Sequence, residues 1–184
     1  MNGHHLILGQ LTDYITGETL DDTHDERYRQ KLARFLVEQK DYFKSDITAR
    51  HPLICKAGEK KALTRIDYLV TIDQTIGLLI KYGPGSLVTR RRPALAASRL
   101  VADYQIAVAV VTNGEDAEVL DGPSGRLMGH GLASIPDRQR LAAMLKGKAC
   151  EMISSHRAEL ESRIYYTYEV DGCCPCDDSV CRLP

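Results

Sequence analysis

Neither sign of charge dominates this chain of 184 residues, in which 24 Lys and Arg oppose 25 Asp and Glu for a formal net charge of −1. That balance excludes a global attraction to nucleic acid or anionic membrane, so any polyanion contact has to come from a local basic patch. No apolar run approaches the roughly 18 residues of a membrane span. Met1-Asn2-Gly3-His4-His5 lacks the basic and apolar regions of a secretory signal. A cytoplasmic protein with no membrane partner is therefore expected, with cysteines reduced or metal-bound rather than paired. There is no internal repeat, no phosphate-binding glycine loop and no nucleophile-elbow serine. The histidines at 4, 5, 24, 51, 130 and 156 show no ligand spacing and are expected at the surface. What is present is ordinary for a globular chain, 43% hydrophobic and 27% charged, and long enough for one domain with its own core.

Thr16-Gly17 supplies a turn within a short leader, residues 1–22. Thr23-His24-Asp25-Glu26 has the form of a capping box, and the apolar steps that follow predict a helix over about 24–42. Residues 43–64 are mixed, with Pro52 and Gly58 as breakers and a weak strand at Leu53-Ile54-Cys55. Ile66–Ile72 and Ile76–Tyr82 predict two strands joined at Asp73-Gln74. Pro93 suits the first position of a helix that ends near Asp103. Ile106–Thr112 is the strongest strand, turning at Asn113-Gly114 into a short partner over Ala117–Leu120. A long helix is expected over 136–162, with Cys150 in its core, then a late strand over Ile164–Val170. The βαβ unit at 76–112 requires a parallel strand pair. The fold class is α/β: a layered core in which a central mixed sheet is flanked by helices, over 23–135, with a cysteine-rich C-terminal extension over 136–184.

The residues with the clearest chemistry lie between Asp67 and Lys81. An acid opens the first strand of that hairpin and a lysine closes the second. Metal-assisted phosphodiester hydrolysis needs hard oxygen ligands for a divalent cation, a water acidified by that cation and a positive group for developing charge. Leu79 and Lys81 share one face of their strand because side chains alternate. The Ile80 carbonyl is a further candidate donor.

This layout resembles the metal-binding hairpin of PD-(D/E)xK nucleases. With Asp13-Tyr14-Ile15-Thr16-Gly17, Glu26-Arg27-Tyr28-Arg29-Gln30 and Val110-Val111-Thr112-Asn113-Gly114-Glu115-Asp116, the chain resembles the N-terminal nuclease domain of the type I restriction enzyme R subunit, in a small stand-alone form. The resemblance covers roughly residues 10–122. It implies a restriction-endonuclease-like fold, DNA as partner and Mg2+ as cofactor. Asp67 would be the first metal ligand, Lys81 the catalytic lysine and Glu26 the helix acid that joins the site. Leu79 stands where the family's second metal acid belongs; Asp103 and Glu38 are the candidate replacements, and Asp73, at the turn, is poorly placed. Two functions follow: a Mg-dependent endodeoxyribonuclease with a degenerate site, or a catalytically inactive module of the same fold that binds DNA or a protein partner, a second copy of itself included.

Arg90-Arg91-Arg92 precedes the Pro93 helix. Helix electrostatics do not ask for cations there, so the triplet is the candidate nucleic-acid contact, placed to reach phosphates beside the hairpin. In the tail, Cys173, Cys174, Cys176 and Cys181 fall close enough together to suggest zinc or an iron–sulfur cluster. The spacing is similar to the C-terminal cysteine trio of iron–sulfur PD-(D/E)xK nucleases, in which a lone upstream cysteine, here Cys55, completes a 4Fe-4S set. Cys174 would permit a wholly local site instead, and an unmetallated or redox-active tail is the third reading.

Overall fold

The computed structural model describes residues 6–147, 150–173 and 180–183. Gly17, at φ 78°, lets the chain reverse between β1 (Gln10–Thr12) and β2 (Thr19–Asp21), so the leader contains a small hairpin. Thr23 then caps α1 (His24–Glu38), its hydroxyl accepting from the Glu26 N–H at 3.1 Å. The helix stops short of 42 because Asp41 adopts φ 58° and Tyr42 turns inward to donate to the Pro136 carbonyl at 2.8 Å.

The mixed stretch before residue 64 is most of a long hairpin, β3 (Ile47–Ala57) and β4 (Lys60–Ile72), turning at Gly58. Its polarity reflects position. Among the described residues β3 pairs only with β4, and an edge strand tolerates Pro52 and alternating exposed residues. Asp73 and Gln74, at φ 47° and 66°, make the tight turn into β5 (Thr75–Tyr82). The chain crosses through α2 (Val88–Ala97) to β6 (Val108–Thr112), parallel to β5 as expected, then continues antiparallel through β7 (Ala117–Asp121) and β8 (Leu127–His130). The sheet order is β3-β4-β5-β6-β7-β8.

Three expectations fail for physical reasons. The Pro93 helix begins at Val88, which places the arginine triplet inside it rather than before it. The long C-terminal helix is two helices, α3 (Arg138–Leu145) and α4 (Ser155–Tyr166): Gly147 takes φ 71°, and Ser154 caps a new start by accepting from the Arg157 N–H. Cys150 falls between them and is exposed, not core. The late strand is helical too: α4 continues into a π turn over Thr167–Asp171, and Tyr165, Tyr166 and Val170 are buried at helical rather than alternating spacing. A final strand, β9 (Cys181–Leu183), pairs with the start of β4.

Alternation divides the sheet between two cores. Tyr68, Val70, Leu78, Ile80, Val108 and Val110 pack with Leu32 and Leu36 of α1 and Leu141 of α3. Leu69, Leu79 and Val111 pack on the other side with Ala94 of α2 and Tyr165 of α4. The expected α/β layering, a mixed sheet between helices, is present.

Candidate functional site

Asp67 sits where β4 departs from strict alternation. Ile66 belongs to the α2–α4 core and Tyr68 to the α1–α3 core, as two-residue alternation would not allow. Opposite this point Arg50 adopts φ 51°, and the ladder passes from Ala49↔Tyr68 to His51↔Ile66. The kink frees the Asp67 carboxylate to meet α1. Oδ1 accepts from Arg29 Nε at 2.7 Å, and Oδ2 accepts from the Tyr82 backbone N–H at 2.8 Å.

Arg29 reaches both acids. Its Nη1 lies 3.6 Å from Glu26 Oε2, one turn earlier on α1, and its guanidinium stands 4.9 Å from the Tyr82 ring centre. Burial opposes the charge on Arg29, but the Asp67 carboxylate outweighs it and raises the guanidinium pKa. Glu26 is thus not the reciprocal partner of Thr23. Its Oε1 accepts from Gln30 Nε2 at 2.8 Å, which also donates to Asp13 Oδ2 at 2.9 Å. Arg50 Nη1 completes the string, 2.6 Å from Asp13 Oδ2 and 4.0 Å from Glu26 Oε1. Burial pushes the Asp13 carboxyl upward, but hydrogen bonds from Arg50, Thr16 and Gln30 outweigh it and hold the group at about 2. Three acids, Asp13, Glu26 and Asp67, alternate with two guanidiniums.

Lys81 turns the other way, toward α4. Its Nζ lies 3.0 Å from Glu169 Oε2 in the π turn and donates to the Arg65 carbonyl at 3.1 Å. Burial works against this ammonium, but Tyr165, Glu169 and Asp67 together raise its pKa. Asp67 is thus close enough to be felt by Lys81, yet among the described residues the two form no ion pair. Leu79 is fully buried in the α2–α4 core. Ile80 is paired on both sides, to Tyr68 and Val110, so its backbone is committed to the sheet. Of the candidate replacement acids, Asp73 is at the β4–β5 turn, Asp103 lies between α2 and β6, and Glu38 ends α1, accepting from the Tyr14 hydroxyl at 3.2 Å. None is an ion-pair partner of Lys81; Glu169 is.

The arginine triplet is largely occupied internally. Arg91 forms a two-pronged pair with Glu118 of β7. Arg92 Nη2 lies 2.6 Å from Glu161 of α4, a carboxylate that also takes Arg99 and Arg157. Arg90 packs over Gly83. These pairs fasten α2 to the sheet and to α4.

Cys174 and Cys176 lie outside the described residues. Cys173 donates to the Val170 carbonyl at 2.9 Å. Cys181 pairs across from Leu63, whereas Cys55 pairs across from Ala62, so the two thiols project from opposite faces of the sheet. Burial pushes the Cys55 thiol up to about 11, and it donates to the Ala62 carbonyl. Cys55 is therefore poorly placed to join Cys181 around one metal.

Sequence reasoning passed over Arg29, Arg50, Asp13 and Glu169. Arg29 had a local signal, since its three-residue spacing from Glu26 puts both on one helix face. Glu169 had none, because only the folding of α4 against the hairpin brings it to Lys81.

A family model described as the type I restriction enzyme R protein N terminus matches residues 24–136, more than half of the chain. The match runs from the start of α1 to Pro136, shortly before α3. No curated protein and no solved structure matches the chain.

Proposed function

We propose that this chain, which belongs to the type I restriction enzyme R protein N-terminal family, engages DNA through a nuclease-type fold without cleaving it. The observation that carries the reading is the place of Arg29. Its guanidinium lies between Glu26 and Asp67, at 3.6 and 2.7 Å, where a hydrolytic member would need both carboxylates for a divalent cation. The magnesium that the family implies would polarise a phosphate and acidify a water. The residues here do not fit that ion. One carboxylate is engaged on both oxygens by a guanidinium and a backbone N–H, a fixed positive charge stands between the acids, and the second-acid position is a fully buried leucine. Lys81, held by Glu169 toward α4, is not aimed at the same place. DNA as the partner follows from the family.

The test is incubation of supercoiled plasmid with the protein and Mn2+, followed by electrophoresis. Retardation of intact supercoils is expected. Relaxation by the wild type that Lys81→Ala abolishes would overturn the proposal.

A hydrolytic alternative rests on Glu169, which brings an acid to Lys81 from another element. It requires plasmid relaxation that Glu169→Gln removes.

A further inference from the structure

With Arg91 and Arg92 committed to internal carboxylates and Arg90 packed over Gly83, a DNA-directed protein draws its phosphate contacts from other cations as well. A groove of about 500 Å³ runs between the β1–β2 hairpin and α1, lined by Leu11, Thr12, Asp22, Arg27, Gln30, Lys31 and Arg34. We infer that this groove, with Arg27, Lys31, Arg34 and neighbouring Lys44, is the track for the phosphodiester backbone of DNA. The inference deepens the preceding reading and rests on its choice of partner.

Three observations support it. First, Arg27, Lys31 and Arg34 are all exposed and stand four and three residues apart, which lines them along one side of α1. They span roughly 10 Å of helix, a rise over which one strand of a duplex presents about three phosphates. Second, Arg27, Arg34 and Lys44 are each held in place, and of the four cations only Arg27 is offset by a carboxylate among the described residues. Arg27 is clamped by Asp22 at 2.6 and 2.7 Å. Arg34 and Lys44 both stand over the Tyr14 ring, at 4.5 and 3.8 Å from its centre. Lys31, Arg34 and Lys44 form no ion pair among the described residues, and the acids here, Asp22 and Glu38, are engaged by Arg27 and the Tyr14 hydroxyl. Third, the lining is wrong for a protein partner. Leu11 is its one apolar side chain, whereas protein interfaces are anchored by buried aromatic and aliphatic groups.

The groove adjoins the candidate site. Gln30 lines the groove and also bridges Asp13 to Glu26, so a strand lying there passes beside the Glu26–Arg29–Asp67 string. The hairpin wall, residues 10–21, precedes the family match, which begins at residue 24.

The experiment is fluorescence anisotropy of a short labelled DNA duplex across a series of salt concentrations, without divalent ions. Lys31→Glu/Arg34→Glu changes only exposed side chains, and a thermal melt confirms that it folds. It is expected to bind at least about tenfold more weakly, with the slope of log K against log salt reduced by about 2. Lys60→Glu/Lys61→Glu makes the same charge change at the exposed start of β4 and should bind as the wild type does. Wild-type affinity in the groove variant overturns the inference and leaves the partner assignment standing. Equal losses in both variants do the same, because net charge alone would then explain them. A wild-type protein that binds no duplex at low salt removes the DNA reading and the groove together.

Discussion

Replacing Arg29 with alanine should destabilise the fold and, in the same stroke, create a site for a divalent ion. Arg29 is about a quarter exposed and Asp67 less than a tenth. Breaking a buried ion pair from one side costs about 3–5 kcal/mol. The partial exposure of Arg29, and the Tyr82 N–H that still serves Asp67, bring the expected loss to about 2–3 kcal/mol. For a domain of this size that is a fall in Tm of roughly 5–10 °C. The loss should be partly reversible by metal, because Glu26 and Asp67 would then face each other across a vacated position. At a Mg2+ concentration near ten times Kd, binding would restore about 1.4 kcal/mol. The assay is a pair of thermal melts, in EDTA and in excess Mg2+. The wild type should give the same Tm in both, and Arg29→Ala should melt low in EDTA and partly recover in Mg2+. An Arg29→Ala protein that melts like the wild type in EDTA would show that the guanidinium does not hold the acids. A wild type stabilised by Mg2+ through Asp67 would show that the site already takes metal.

Asp13→Asn should cost about 2 kcal/mol at neutral pH. The native carboxyl is depressed from 3.8 to about 2, so its contribution is present above about pH 4 and disappears as pH falls through 2. Wild type and variant should therefore converge in stability at the acid end, and a constant difference down to pH 2 would refute the assignment. Cys55 is buried and its thiol is pushed up to about 11, so at pH 8 a thiol reagent should label Cys150 and Cys181 in the native protein and Cys55 only in denaturant. Mass spectrometry after timed labelling reads this directly, and native modification of Cys55 at the rate of Cys181 would contradict it.

The central hairpin, the parallel crossover and the two-layer cladding of the sheet were legible because β-branched runs, turn residues and a cap signal each spoke locally. Asp73-Gln74 is an example: a short polar pair between apolar runs, and both residues take the left-handed turn. The C-terminal third was harder. Its helical periodicity ran across a hidden glycine break at 147, and three tyrosines with β character sat in α4 and its π extension, where packing on the hairpin overrides propensity. β8 and β9 are short edge pieces with little pattern of their own. At the candidate site, Asp67, Lys81 and Leu79 were singled out by the resemblance to the family's metal-binding hairpin. What could not be read is where each side chain turns. The kink beside Arg50 sends Asp67 to α1, and Glu169, distant in sequence, takes Lys81 to α4. The partners of Arg91 and Arg92, Glu118 and Glu161, were not legible either, because only the fold brings them there.

The most direct measurement is a time course of supercoiled plasmid with Mn2+, comparing wild type with Asp67→Asn on one gel. The account predicts that both proteins retard the DNA and that neither converts it to relaxed or linear form. Conversion by the wild type that is lost in Asp67→Asn would mean that the carboxylate beside Arg29 is still a working catalytic group, and would contradict the account.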